Sequence, residues 1–130
     1  MDKKIIPTAA FFGMTAIILG AFGAHALKKV LTFDELASFE TGVRYQMYHA
    51  LFLLFIGLTN HLTVKTKKAI VALTIIGVML FSGSIYLLST MSISKINFKV
   101  IGFVTPIGGA LLIAAWGVLL FQFTKKKDKS

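Results

Sequence analysis

Residues 5–27 read IIPTAAFFGMTAIILGAFGAHAL. This stretch of 23 residues holds no Asp, Glu, Lys or Arg, and its apolar side chains would cover every face of a helix rather than one stripe. At about 1.5 Å per residue it reaches roughly 35 Å, enough to cross about 30 Å of hydrocarbon. Three further runs of the same kind follow, over about 46–64 (most apolar from Met47 to Val64), 69–91 and 100–123. They leave little of the 130 residues for anything else. The pattern predicts an all-α integral membrane bundle of four transmembrane helices in a single domain, and excludes an ordinary soluble core.

The charges support the same reading. Fourteen Lys and Arg stand against five Asp and Glu, but they sit between the apolar runs and not on one folded face, so no nucleic-acid partner is expected. In a four-crossing chain, Lys3, Lys4, Lys65, Lys67, Lys68 and the tail lysines Lys125, Lys126, Lys127 and Lys129 share one side. Lys28, Lys29, Arg44, Lys95 and Lys99 share the other, with Asp34, Glu35 and Glu40. Short basic loops stay inside, which predicts a cell membrane protein with both termini in the cytoplasm and a basic cytoplasmic tail over 124–130. That tail could also touch anionic headgroups, although a solvated anchor explains it equally. The chain has no cysteine, so disulfides and thiolate chemistry are absent.

Lys3-Lys4, an apolar stretch and Ala24-His25-Ala26 imitate a secretory signal with its cleavage site. The stretch exceeds the roughly 7–15 residues of such a signal, so it is read as a retained span. Pro7 is expected in the first turn of that helix. Ala16, Gly20 and Ala24, with Gly23, form a small-residue stripe suited to close packing within the bundle. Thr32 and Glu35 form a capping box. Leu36, Phe39, Val43 and Met47 then recur at helical spacing, which predicts a short amphipathic interfacial helix over about 33–44 that bends near Gly42 into the second span. One long tilted helix is the alternative. Thr105-Pro106 either kinks the fourth span or begins it.

With the termini inside, the polar interruptions of all four runs fall in the outer half of the bundle. His25, Tyr45, Gln46, His49, Ser82, Ser84 and Thr105 are candidate ligand-binding residues there, and Gly20, Gly23, Gly83, Gly108 and Gly109 candidate close-packing positions. Thr41, Tyr45 and His49 are four apart and share one helix face. The plain alternative is that these groups only tie helices together by hydrogen bonds. Two histidines fall short of the three or four ligands zinc takes, so no metal or other cofactor is expected. No intramembrane carboxylate is available to orient a catalytic base, so no catalytic residue is assigned. His61, near the inner end of the second run, reads as an interface residue.

Four stretches stand together: Gly20-Ala21-Phe22-Gly23-Ala24-His25, Thr41-Gly42-x-x-Tyr45-Gln46-x-x-His49, Phe81-Ser82-Gly83-Ser84 and Thr105-Pro106-x-Gly108-Gly109. Their order and spacing resemble the small membrane proteins grouped as domain of unknown function 423, related to transmembrane protein 256 of animals. The resemblance implies a four-span protein of a bacterial inner or plasma membrane, with these positions as its signature, and implies no activity. Arg44, Glu40 and the lysine tail lie outside the signature. The expectation is a non-enzymatic membrane protein that binds a lipid or amphiphile through the outer polar cluster, with membrane lipids as partners and a homo-oligomer as a further possibility. The alternatives are a small permeation protein, a lipid-directed enzyme, or a purely structural membrane protein.

Overall fold

The computed structural model describes residues 2–127, so Lys129 and the end of the basic tail lie outside the described residues. All regular structure among them is helical: α1 (Asp2–His25), α2 (Phe33–Leu58), α3 (Val64–Ser89), the single turn α4 (Met91–Ser94) and α5 (Val104–Lys127). Short 3-10 turns cover Leu27–Lys29 and Lys99–Phe103.

Local chemistry sets the ends. Thr32 Oγ1 accepts from the Glu35 amide at 3.1 Å, and Glu35 Oε1 accepts from the Thr32 amide at 2.9 Å, so the expected capping box starts α2. Thr63 caps α3 in the same manner through the Thr66 amide. Pro106 stands in the first turn of α5, where its missing N–H has no intrahelical partner to lose. The fourth apolar run therefore begins as an irregular approach over Lys99–Phe103 and turns helical at Val104, which settles the choice left open by Thr105-Pro106. Pro7 departs from expectation. Because α1 already begins at Asp2, Pro7 lies beyond the first turn, and the carbonyl of Lys3 loses its ordinary donor near the charged end.

The separate amphipathic helix over 33–44 does not form. Phe33–Leu58 is one helix of 26 residues with no break at Gly42. The glycine serves packing here: a Cβ would come within 2.8 Å of the Tyr86 ring and 3.2 Å of Ile85, and the Gly42 carbonyl accepts from Ser82 Oγ at 2.7 Å. Gly42 is thus where α3 presses onto α2.

α1 and α2 form an antiparallel pair with Ile5 and Ile6 against Gly57 at one end and Gly23 against Phe39 at the other. α3 and α5 form the second pair, and α2 packs on α3 to join them. The main core runs between the pairs through Ile5, Phe12, Leu53, Ile56, Ile70 and Leu112. A smaller cluster of Leu27, Leu31 and Phe39 closes the far end. Much of the remaining surface is apolar, with Phe11, Ile17, Leu58, Ile113 and Leu120 more than half exposed. Exposed apolar area on this scale is what a hydrocarbon solvent requires. The segments Lys3–Lys29, Val64–Ser89 and Lys99–Lys125 are long and apolar enough to cross a membrane. α2 is long enough but falls short in hydropathy, because Arg44, Tyr45, Gln46 and His49 occupy its middle. By length and composition the expected four spans are therefore three, plus α2.

Candidate functional site

The polar residues of the sequence cluster separate into three groups. The first ties α1, α2 and α3 together. Gln46 is buried, and its Nε2 donates to the Phe12 carbonyl at 2.9 Å and to Thr15 Oγ1 at 2.7 Å. Its Oε1 accepts from the Tyr86 hydroxyl at 2.7 Å. Ser82, also buried, donates to the Gly42 carbonyl. Ser84 donates to the Phe81 carbonyl at 3.0 Å, which leaves the Thr105 hydroxyl as donor in the short bond that links it to Ser84 across α3 and α5. Gln46, Ser82, Ser84 and Thr105 are thereby committed to helix–helix bonds, and none presents a spare donor to a ligand.

The second group is His25 alone. It ends α1, is exposed, and has no polar partner among the described residues. The α1–α2 register puts Gly13 beside Ala50, so His49 lies at the level of Gly13, twelve residues from His25. Twelve helical residues are about 18 Å. The two imidazoles do not meet, so His25 does not join the other candidate ligand-binding residues in one cluster. His25→Ala is expected to leave the thermal midpoint unchanged in a detergent melt, while His49→Ala lowers stability by about 1–2 kcal/mol through lost interhelical bonding and packing.

The third group forms a site. Thr41, Tyr45 and His49, on the one face of α2 that their spacing defines, make a wall of a groove of 530 Å³. Phe81 of α3 and Gly109, Leu112 and Trp116 of α5 complete it. The groove stays open because α5 is drawn onto α3: a Cβ at Gly108 would meet the backbone of Gly77, Leu80 and Phe81, with the Gly77 oxygen at 2.9 Å. This tight crossing keeps α5 on α3 and leaves a gap towards α2. Small residues set such crossings in lipid.

His49 floors the groove in a fixed state. Its Nδ1 lies 2.6 Å from the Tyr45 carbonyl, which can only accept, so Nδ1 carries the hydrogen. Nε2 is then the acceptor for Trp116 Nε1–H at 3.2 Å. Both ring nitrogens of the neutral imidazole are occupied, and Trp116 stacks at 4.2 Å on Phe52. Higher in the groove, the Tyr45 ring packs on Phe81 at 5.1 Å and on Tyr48 at 5.3 Å. No cluster of three or more His, Asp or Glu able to hold a metal ion occurs among the described residues.

Among the close-packing candidates, Gly20, Gly23 and Gly108 do lie against neighbouring helices, and Gly109 lines the groove beside Phe81 at 3.5 Å. Gly83 does not: a Cβ there would meet nothing within 4 Å. It opens instead onto a second, smaller crevice of 230 Å³ between α1 and α3, floored by Gln46 and Tyr86. Leu112, Ile113 and Trp116 were missed as site residues because each reads as ordinary apolar filling, and Phe81, although part of a signature stretch, was not among the candidate site residues. Only the face shared by Thr41, Tyr45 and His49 signalled the groove.

A helical molecule with an apolar exterior, three membrane-length helices and a polar-edged lateral groove is a membrane protein. Residues 19–109 match the family described as protein of unknown function (DUF423). The chain belongs to this family of UPF0382 membrane proteins. It is 39% identical over 118 residues to a UPF0382 membrane protein of Staphylococcus saprophyticus, covering 91% of this chain and 94% of that one. It is 34% identical to a UPF0382 membrane protein of Haemophilus influenzae, covering 98% and 99% of the two chains. The UPF0382 inner membrane protein YgdD of Escherichia coli is 33% identical, with 93% and 89% covered. No solved structure matches.

Proposed function

We propose that the protein is a non-enzymatic, four-span component of a bacterial cell membrane that binds a lipid or other amphiphile in the groove between α2 and α5. In this reading α2 is the fourth crossing. Of its polar middle, Gln46 and His49 face the core and the groove and are satisfied by protein partners, as a crossing helix demands, while Arg44 is exposed. The nine lysines on the side of the termini favour a cytoplasmic amino and carboxyl end. The groove then opens sideways into the outer leaflet.

The observation that carries the proposal is the composition of that groove. Its lower part is aromatic and aliphatic, through Phe81, Leu112, Ile113 and Trp116, and its upper edge carries the hydroxyls of Thr41 and Tyr45. An apolar slot with a polar rim, open to lipid along its length, matches a chain with a polar head. A homo-oligomer remains compatible with this arrangement, since the exposed faces of α1 and α5 stay available.

Gly109→Leu tests it. The Cβ position lies at ordinary contact distance from Phe81, so the longer side chain grows into the slot without moving the backbone. Wild-type protein in nanodiscs is expected to retain a lipid enriched over the surrounding bilayer by mass spectrometry, and the variant to lose that enrichment. Identical lipid profiles for the two proteins would overturn the proposal.

A further inference from the structure

The upper rim of the groove carries a charge that the sequence reading set aside. Arg44 is exposed on α2, and its Nη2 donates to Thr41 Oγ1 at 3.1 Å, the same hydroxyl that lines the groove. This is the only polar contact of the guanidinium among the described residues. Arginine has five N–H donors, so most of its donor capacity faces outward.

The depth of this group matters. Gly42 lies against Ile85 and Tyr86, Tyr45 packs on Phe81, and Ser84 bonds to Thr105 in the first turn of α5. Arg44 therefore stands level with the beginning of α5, within a turn or so of where the helices emerge. A guanidinium at that depth extends its charged end to the headgroup layer. It makes no ion pair with a carboxylate among the described residues, so a lipid phosphate at that level is a suitable counter-ion.

Resting on the groove reading above, we infer that the occupant is a net-anionic phospholipid. Its phosphate lies on Arg44 and the Tyr45 hydroxyl, with Thr41, which donates to the Ala37 carbonyl, holding the guanidinium in place, and one acyl chain runs down Leu112 and Trp116 to the imidazole of His49. The planar guanidinium suits two phosphate oxygens at once, where a lysine would offer only a point charge. The Tyr45 hydroxyl adds a further donor on the same rim, and it makes no hydrogen bond within the described protein. The chain side of the slot has no open polar group, because His49 is satisfied on both nitrogens.

Trp116 is the one tryptophan of the sequence and lines the groove, so its fluorescence reports occupancy directly. The probes are phosphatidylglycerol and phosphatidylcholine with brominated chains, titrated separately into nanodiscs that hold the full-length protein. Half-maximal quenching is expected at about tenfold lower mole fraction of the anionic lipid, the ratio one charge-assisted hydrogen bond supports. Arg44→Gln is expected to equalise the two lipids. Lys99→Gln, which removes a cation at the same end of the molecule but away from the groove, is expected to keep the preference. Equal quenching by both lipids in the wild type, or loss of preference in the Lys99 variant alone, would overturn the anionic assignment and leave the groove reading standing. If Gly109→Leu failed to weaken quenching by either lipid, the groove reading itself would fall.

Discussion

Gly108→Ala is expected to lower stability by about 3 kcal/mol, the upper end of what overpacking costs. One added methyl carries this effect because nothing nearby can yield. The new carbon would approach the backbone of the opposing helix, at 2.8 Å from the Leu80 carbonyl carbon, 2.9 Å from the Gly77 oxygen and closer still to the Phe81 nitrogen. Flexible side chains can swing away from an intruding atom, but backbone cannot, so α3 and α5 must separate. Gly117→Ala on the same helix is the natural control, since its Cβ would meet nothing within 4 Å. That substitution should be neutral or stabilise by up to about 1 kcal/mol through better helix propensity. Heating the detergent-solubilised proteins and following the monodisperse fraction measures both. Similar midpoints for the two variants would mean that α3 and α5 do not cross so closely.

Gln46→Leu should be the next most damaging change, at about 2 kcal/mol. Interhelical hydrogen bonds in membranes contribute roughly 0.6 kcal/mol each on average and up to about 1.7. Gln46 makes three, to Phe12, Thr15 and Tyr86, on two different helices. Its loss also leaves the part-buried Tyr86 hydroxyl with Ser82 as its remaining side-chain partner, and so poorly satisfied. A double-mutant cycle separates these causes. Tyr86→Phe alone is expected to cost about 1 kcal/mol, and added to Gln46→Leu it should cost little more, because the bond to Gln46 is already gone. Strict additivity of the two substitutions would show that they do not share a bond.

Much of the architecture could be read from composition alone. Long apolar runs define helices in lipid whatever their neighbours do, and Thr32 with Glu35 marked the start of α2 through purely local bonds. The reading stumbled where the outcome depends on what another helix brings. Gly42 looked like a bend because glycine weakens a helix, yet the helix runs on through it and Tyr86 and Ser82 pack and bond against it. His25 and His49 were grouped by leaflet, a coarse measure that pools positions about 18 Å apart. Only the register of α1 on α2 separates them. The face shared by Thr41, Tyr45 and His49 was legible, being a property of one helix. Their partners Phe81 and Trp116 were not, because the rotation of α3 and α5 about their axes is set by the crossing at Gly108. Arg44 was overlooked for a similar reason: its significance lies in which opening it borders.

The two lateral clefts lie on opposite faces of the contact between α2 and α3. Each helical hairpin, α1 with α2 and α3 with α5, is joined tightly within itself, and the hairpins are bonded to each other by Ser82 on Gly42, Tyr86 on Gln46 and Trp116 on His49. A seam with an opening on either flank works like a hinge pin between two boards. A roll of one hairpin over the other that narrowed the wider cleft would widen the narrower one, and the Trp116–His49 bond at the wider cleft and the Tyr86–Gln46 bond at the narrower one resist it.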